Sequence, residues 1–166
     1  TVDMGRARLA SKDFPSGPAD GAGTLELDGR RLSFQHVSVG NPQCAIEVAE
    51  DLDELDLAAL GPRIESHELF PNRTNVSFWR RESDSEITAR IFERGVGETM
   101  SSGTGATGAA VAAVLRGLEN NVTVRLDGGE LEVEVGEDLH LSLTGWAAAV
   151  YRGEVSDDFL EALRET

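Results

Sequence analysis

Apolar and polar positions alternate with a period of two along much of this chain, the pattern of strands that bury one face and wet the other. The alternation runs through TLELDGRRLSFQHVSV (residues 24–39) and TNVSFWRR (74–81). It recurs in EITARIFER (86–94), VTVRLDGGELEVEVGEDLHLSLTG (122–145) and WAAAVYRGEV (146–155) and predicts half-buried antiparallel strands throughout. Asp127-Gly128-Gly129 and Gly136-Glu137-Asp138 supply the residues that hairpin turns need. Residues 11–23, SKDFPSGPADGAG, read as one long surface loop. The opening TVDMGRARL reads like the middle of a structured segment, as expected of a fragment, a processed chain or a trimmed one.

Three segments carry the helical period instead. In residues 53–65, Leu55, Leu57, Leu60 and Ile64 form one apolar stripe beneath acidic positions, which predicts a covering helix. Residues 156–166 begin with Ser156 as N-cap, place Asp157 and Asp158 in the positive first turn, and predict burial of Phe159, Leu160 and Leu163. Residues 104–118 differ. Ala106, Gly108, Ala109, Ala110, Val111, Ala112, Ala113, Val114 and Leu115 leave that helix apolar nearly all round, and such a helix is buried. Its small side chains suit a tight enclosure. The predicted fold is α+β, an antiparallel barrel-like sheet wrapped around this central helix, in one domain over residues 1–166.

Composition narrows the partners. The 166 residues are 40% hydrophobic, enough for one core, and carry a formal net charge of −15. Such a surface repels phosphate backbones and anionic headgroups, so neither nucleic acid nor membrane is an expected partner. Cys44 is the single cysteine; it predicts a buried apolar residue, no intrachain disulfide and a reducing compartment. With no apolar run of spanning length and no basic-then-apolar leader, the expected location is cytoplasmic. His36, His67 and His140 lack the spacing of metal ligands, and no dinucleotide fingerprint occurs, so neither metal nor cofactor is expected.

The chemistry concentrates where Ser101-Ser102-Gly103-Thr104-Gly105 leads into the apolar helix. A buried helix has about four N–H groups in its first turn without intrahelical acceptors. The hydroxyls of Ser101, Ser102 or Thr104 can cap them locally. Alternatively, Gly103 and Gly105 clear the backbone for an anion, which the helix dipole favours. A carboxylate fits; no Gly-Lys-Ser/Thr triplet supports a nucleotide loop. Just upstream, Glu93 and Arg94 end a strand before the Gly95-Val96-Gly97 turn, where an adjacent acid and base are either a solvated pair or a site.

IFERGVGETMSSGTGATGAAVAAVLRGL (91–118), VSVGNPQCAIEV (37–48) and ESHELFPNRTNVSFW (65–79) together resemble the C-terminal half of the diaminopimelate epimerase family. The resemblance covers essentially the whole chain. It implies one domain of a two-domain fold, with the N-terminal half, which supplies the first catalytic cysteine, absent from these residues. It further implies cofactor-independent epimerisation of LL- to meso-diaminopimelate by two-base proton transfer, in lysine and peptidoglycan precursor biosynthesis, with a diamino-dicarboxylate as substrate and a homodimer as a candidate assembly.

By motif position, Asn41 and Asn75 resemble the amides that hold the far end of the substrate, Arg94 its carboxylate partner, and Gly103 and Thr104 the donors to the α-carboxylate. Glu93 resembles the carboxylate that tunes the neighbouring catalytic group. Read locally, Asn41 is a turn residue before Pro42 and Asn75 a strand-start cap. Two positions break the family's pattern: Ser102 stands at the cysteine position and Gln43 at the histidine position. An unassisted hydroxyl is a far weaker acid than a thiol, and a glutamine amide neither titrates nor carries charge. The alternatives are a divergent racemase or hydroxyproline dehydratase-like enzyme, and an amino-acid-binding domain without turnover.

Overall fold

The computed structural model describes residues 1–164. Strands β1 (Val2–Arg6), β2 (Ala22–Leu27), β3 (Arg30–Ser38) and β4 (Pro42–Glu47) precede a short 3-10 turn, Leu52–Glu54, and helix α1 (Leu57–Glu65). Then come β5 (Asn75–Arg81), β6 (Glu86–Glu93), β7 (Gly97–Thr99) and the central helix α2 (Gly103–Leu115). Strands β8 (Asn121–Leu126), β9 (Gly129–Val135) and β10 (His140–Thr144) and helix α3 (Asp157–Arg164) complete the order. No helix among the described residues is long and apolar enough to cross a membrane.

The α+β class holds: one 10-stranded sheet runs β1-β10-β9-β8-β6-β5-β4-β3-β2, with β7 added beside β6. It is mixed, not purely antiparallel, because β4 pairs β5 and β6 pairs β8 in parallel. Those junctions are where α1 and α2 intervene in the chain. A strand that must run parallel to its predecessor needs a crossover of that length, and both helices supply one. Nor does the sheet close. Beyond β1, Arg8 exchanges a pair of backbone bonds with Ser38 at 3.0 and 2.8 Å, one isolated bridge across the seam in place of a ladder.

Strands β4 and β5 are buried on both faces. On one, Ala45, Trp79, Ile87 and Ile91 pack with α2; on the other, Cys44, Ile46, Phe78 and Phe92 pack with Leu57 and Ile64 of α1 and with Phe14 from the long loop. Asp56 caps α1, accepting from Ala59 N at 3.0 Å, so the helix begins after the expected residue 53. Every residue of α2 from Gly105 to Ala113 is buried, and β3, β4, β5, β6, β8, β9 and β10 surround it. Close approach needs its glycines: a Cβ on Gly105 would lie 2.6 Å from Ile91 Cδ1. The helix ends at Leu115, earlier than expected, because Gly117 at φ 92° turns the chain. Its N–H bonds Val114 O, and that of Leu118 bonds Ala113 O, at 2.9 and 3.2 Å, a Schellman arrangement.

The C-terminal reading needs correcting in two places. Residues 146–155 form no strand and are exposed, Trp146 by 79% and Tyr151 by 86%. Their alternation lacks an edge to join, since β10 is already paired on both sides by β1 and β9. Helix α3 does start at Ser156, whose Oγ accepts from Phe159 N at 3.4 Å. However, it buries none of its residues; Phe159, Leu160 and Leu163 are 56%, 42% and 58% exposed. The last two positions of that predicted helix, 165 and 166, lie outside the described residues.

Candidate active site

The first turn of α2 answers the capping question in two halves. Ser102, in extended conformation, is the N-cap: its Oγ accepts from Gly105 N at 3.3 Å and its carbonyl accepts from Ala106 N at 2.9 Å. Thr107 Oγ1 donates to Gly103 O at 2.7 Å. Among the described residues, the Gly103 and Thr104 N–H groups donate to no protein acceptor. Both residues are half-buried, and their N–H groups lie at the positive end of a helix dipole of roughly half a charge. Local capping thus satisfies part of the first turn and leaves two of its donors without a protein partner.

A connected set of amides flanks that turn. Gln43 Nε2 donates to Asn41 Oδ1 at 2.8 Å, and Asn41 Nδ2 donates to Thr104 Oγ1 at 3.2 Å. Gln43 is fully buried, and its Oε1 is left without a partner, a state that costs about 1–3 kcal/mol and is uncommon away from functional sites. Asn75 begins β5 beside Gln43 and is buried. Its Nδ2 donates to Pro42 O at 3.0 Å and its Oδ1 accepts from Arg94 N at 2.8 Å. Asn75 thus acts as a strut between the Asn41 turn and the Arg94 turn.

The Arg94 side chain is exposed and donates to Asn72 O at 2.9 Å; among the described residues it joins no ion pair. Glu93 accepts from Thr99 Oγ1 at 2.9 Å. Neither Glu93 nor Gln43 bonds Ser102. The sequence-predicted residues Asn41, Gln43, Asn75, Arg94 and Thr104 are linked, whereas among the described residues no acid or base bonds the Ser102 hydroxyl.

Cys44 lies on the opposite face from Gln43, as strand alternation requires, and burial pushes its thiol far above the ordinary range, so it stays protonated and inert. Sequence reasoning missed Glu65, whose Oε1 accepts from Gly95 N at 2.9 Å and from Arg73 Nη1 at 3.3 Å. The available signal was an acid at the C-terminal end of α1, where the dipole favours a base. Two large apolar side chains near these residues in sequence, Val96 and Met100, are exposed. No cluster of three His, Cys, Asp or Glu side chains able to hold a metal occurs among the described residues.

Fold and site define a helix-centred α+β domain in which, among the described residues, two backbone donors without protein acceptors lie at one end of an amide network and an arginine outside any ion pair lies at the other. Residues 35–155 match the family described as diaminopimelate epimerase, and the chain belongs to that family. It is 46% identical over 164 residues to the diaminopimelate epimerase of Desulfitobacterium hafniense, covering 96% of this chain and 57% of that protein. To the diaminopimelate epimerase of Laribacter hongkongensis it is 43% identical over 162 residues, covering 94% of this chain and 58% of that protein. The chain therefore spans under three-fifths of the length of these relatives. Among solved structures, a predicted epimerase from Pseudomonas aeruginosa aligns with TM-score 0.47 and 21% identity, over 90% of this chain and 58% of that one.

Proposed function

We propose that this chain is the C-terminal half of a diaminopimelate epimerase that interconverts LL- and meso-diaminopimelate without a cofactor. The observation that supports it is the pair of free N–H groups on Gly103 and Thr104, joined through Asn41, Pro42 and Asn75 to the turn that carries Arg94. In this reading the α-carboxylate sits on the α2 N-terminus. The far amino-acid end meets Asn41, Asn75 and Arg94. The other half, present in the relatives' greater length, covers the exposed Val96 and Met100, and the exposed segment from Trp146 through α3 lies against it. A reducing cytoplasm suits a partner half that works through a thiol.

A base on that other half removes the α-proton, and the electron pair moves onto the carboxylate. The Gly103 and Thr104 donors stabilise the resulting charge; each preorganised donor of this kind is worth about 10²–10³ in rate. Ser102 Oγ then gives its proton to the opposite face of the α-carbon, and the alkoxide is reprotonated from solvent. Because a hydroxyl is a poor acid and neither Gln43 nor Glu93 bonds it, this proton transfer limits turnover. The test is exchange of the diaminopimelate α-hydrogen with solvent deuterium in the complete enzyme, which Ser102→Cys accelerates. Exchange absent from both, in folded protein, ends the proposal.

One observation favours a second reading: Ser102 is engaged as a helix cap with no acid-base partner. A domain that binds the amino acid without turning it over gives calorimetric heat with diaminopimelate and no exchange in either form.

A further inference from the structure

Glu65 occupies a place that helix and solvent both disfavour. It is the last residue of α1, at the negative end of the helix dipole, and it is only 7% exposed. A buried carboxylate is tolerated when it accepts hydrogen bonds, and this one accepts two on Oε1. Oε1 takes the Gly95 N–H at 2.9 Å and Arg73 Nη1 at 3.3 Å, while the backbone carbonyl takes Thr74 N at 3.1 Å. Arg73 itself sits at φ 60°, a conformation most side chains avoid, on the short connection that leads into Asn75.

Gly95 is the third residue of a turn closed by Val96 N on Glu93 O at 3.0 Å, and its φ of 77° is one that glycine adopts without strain. The preceding N–H, that of Arg94, is taken by Asn75 Oδ1 at 2.8 Å. Two consecutive backbone donors of one exposed turn are thus each held by a buried side chain, and the two side chains come from different elements. The peptide between Arg94 and Gly95 is fixed on both sides. The Cα of Arg94, and with it the reach of the guanidinium, has little freedom left.

We infer that Glu65 is a positioning residue for the substrate's far end: through Gly95 it sets where Arg94 meets the distal carboxylate. This rests on the assignment of Arg94 given above. A local conflict of this kind, an acid buried against the dipole, is expected where function outweighs propensity.

The experiment compares Glu65→Ala and Glu65→Gln in the complete enzyme, by diaminopimelate kinetics and by hydrogen exchange at the Arg94 and Gly95 amides. Glu65→Ala is expected to raise KM roughly tenfold to hundredfold with kcat changed far less, the pattern of a misplaced binding group. It also speeds exchange at Gly95. Glu65→Gln keeps an oxygen that can accept from Gly95 and restores most of the affinity. Faster exchange with unchanged KM reduces Glu65 to a structural role and overturns the inference; unchanged exchange overturns the contact itself. If the unsubstituted enzyme neither binds nor turns over diaminopimelate, the functional reading fails separately, since the exchange result still reports the Gly95 contact.

Discussion

Gly108→Ala tests whether α2 is as tightly enclosed as its composition implies. An added Cβ would lie 2.7 Å from Gln43 Cγ and 2.8 Å from Gln43 Cβ, well inside carbon–carbon contact of about 3.5–4.0 Å. Rotation about χ1 can move Cγ but not Cβ, whose place is fixed by the ladder that holds Gln43 between Val37 on β3 and Asn75 on β5. Relief requires α2 or β4 to move, and overpacking of this kind costs about 1–3 kcal/mol. Against it stands the helix-propensity gain of alanine over glycine, about 1 kcal/mol. The balance is a net loss of about 1 kcal/mol, or about 2–4 °C in Tm for a chain of this size. Urea unfolding followed by far-ultraviolet circular dichroism measures it. On an open helix face the same substitution stabilises, so the sign decides: a Gly108→Ala chain more stable than its parent refutes the enclosure. In the complete enzyme the displaced Gln43 also disturbs Asn41 and Thr104, and weaker diaminopimelate binding is expected alongside.

Gly95→Ala meets nothing within 4 Å, so its cost is backbone strain alone, about 1–2 kcal/mol, and the same unfolding titration should show it. Burial lowers the pKa of His36 from 6.5, keeping the ring neutral in the fold while the unfolded chain still binds a proton there. His36 thus contributes full stability above pH 6.5, and that stability is lost as pH falls below 6.5 towards the lowered folded value, with a slope of at most about 1.4 kcal/mol per pH unit. Thermal melts between pH 7 and 5 should follow that slope and flatten in His36→Asn; a parent slope of zero refutes the assignment. Ending the chain at Gly145 removes, among the described residues, only exposed ones, and unfolding free energy should change by less than about 0.5 kcal/mol.

What could be read from the sequence was whatever is local. The burial of α2 followed from its composition, its start to within a residue or two from the Ser101-Ser102-Gly103-Thr104 elbow, and the β8–β9 hairpin from Asp127-Gly128-Gly129, because neighbours in the chain decide each of these. The two parallel junctions were hidden, since alternation within β4 or β8 says nothing of the direction of its partner. The apolar stripe of α3 was read as buried, yet a stripe records only that some surface is meant to cover it, not that the surface belongs to the same chain. Asn41, Asn75 and Arg94 were found through motif position. Their connection was not, because Asn75 reaches Pro42 and Arg94 across separations of 33 and 19 residues. Glu65, 30 residues from Gly95, was invisible for the same reason.

The apolar helix and its polar elbow are parts of one arrangement. Gly105 and Gly108 let α2 approach Ile91 and Gln43 more closely than any side chain would allow. That approach brings Thr104 within reach of Asn41. A larger residue at Gly105 would press on Ile91 of β6 and one at Gly108 on Gln43 of β4, and either shift would strain the Asn41–Thr104 hydrogen bond. The side chains of α2 are small because its first turns pack directly against Ile91 of β6 and Gln43 of β4, where a Cβ on either glycine would not fit.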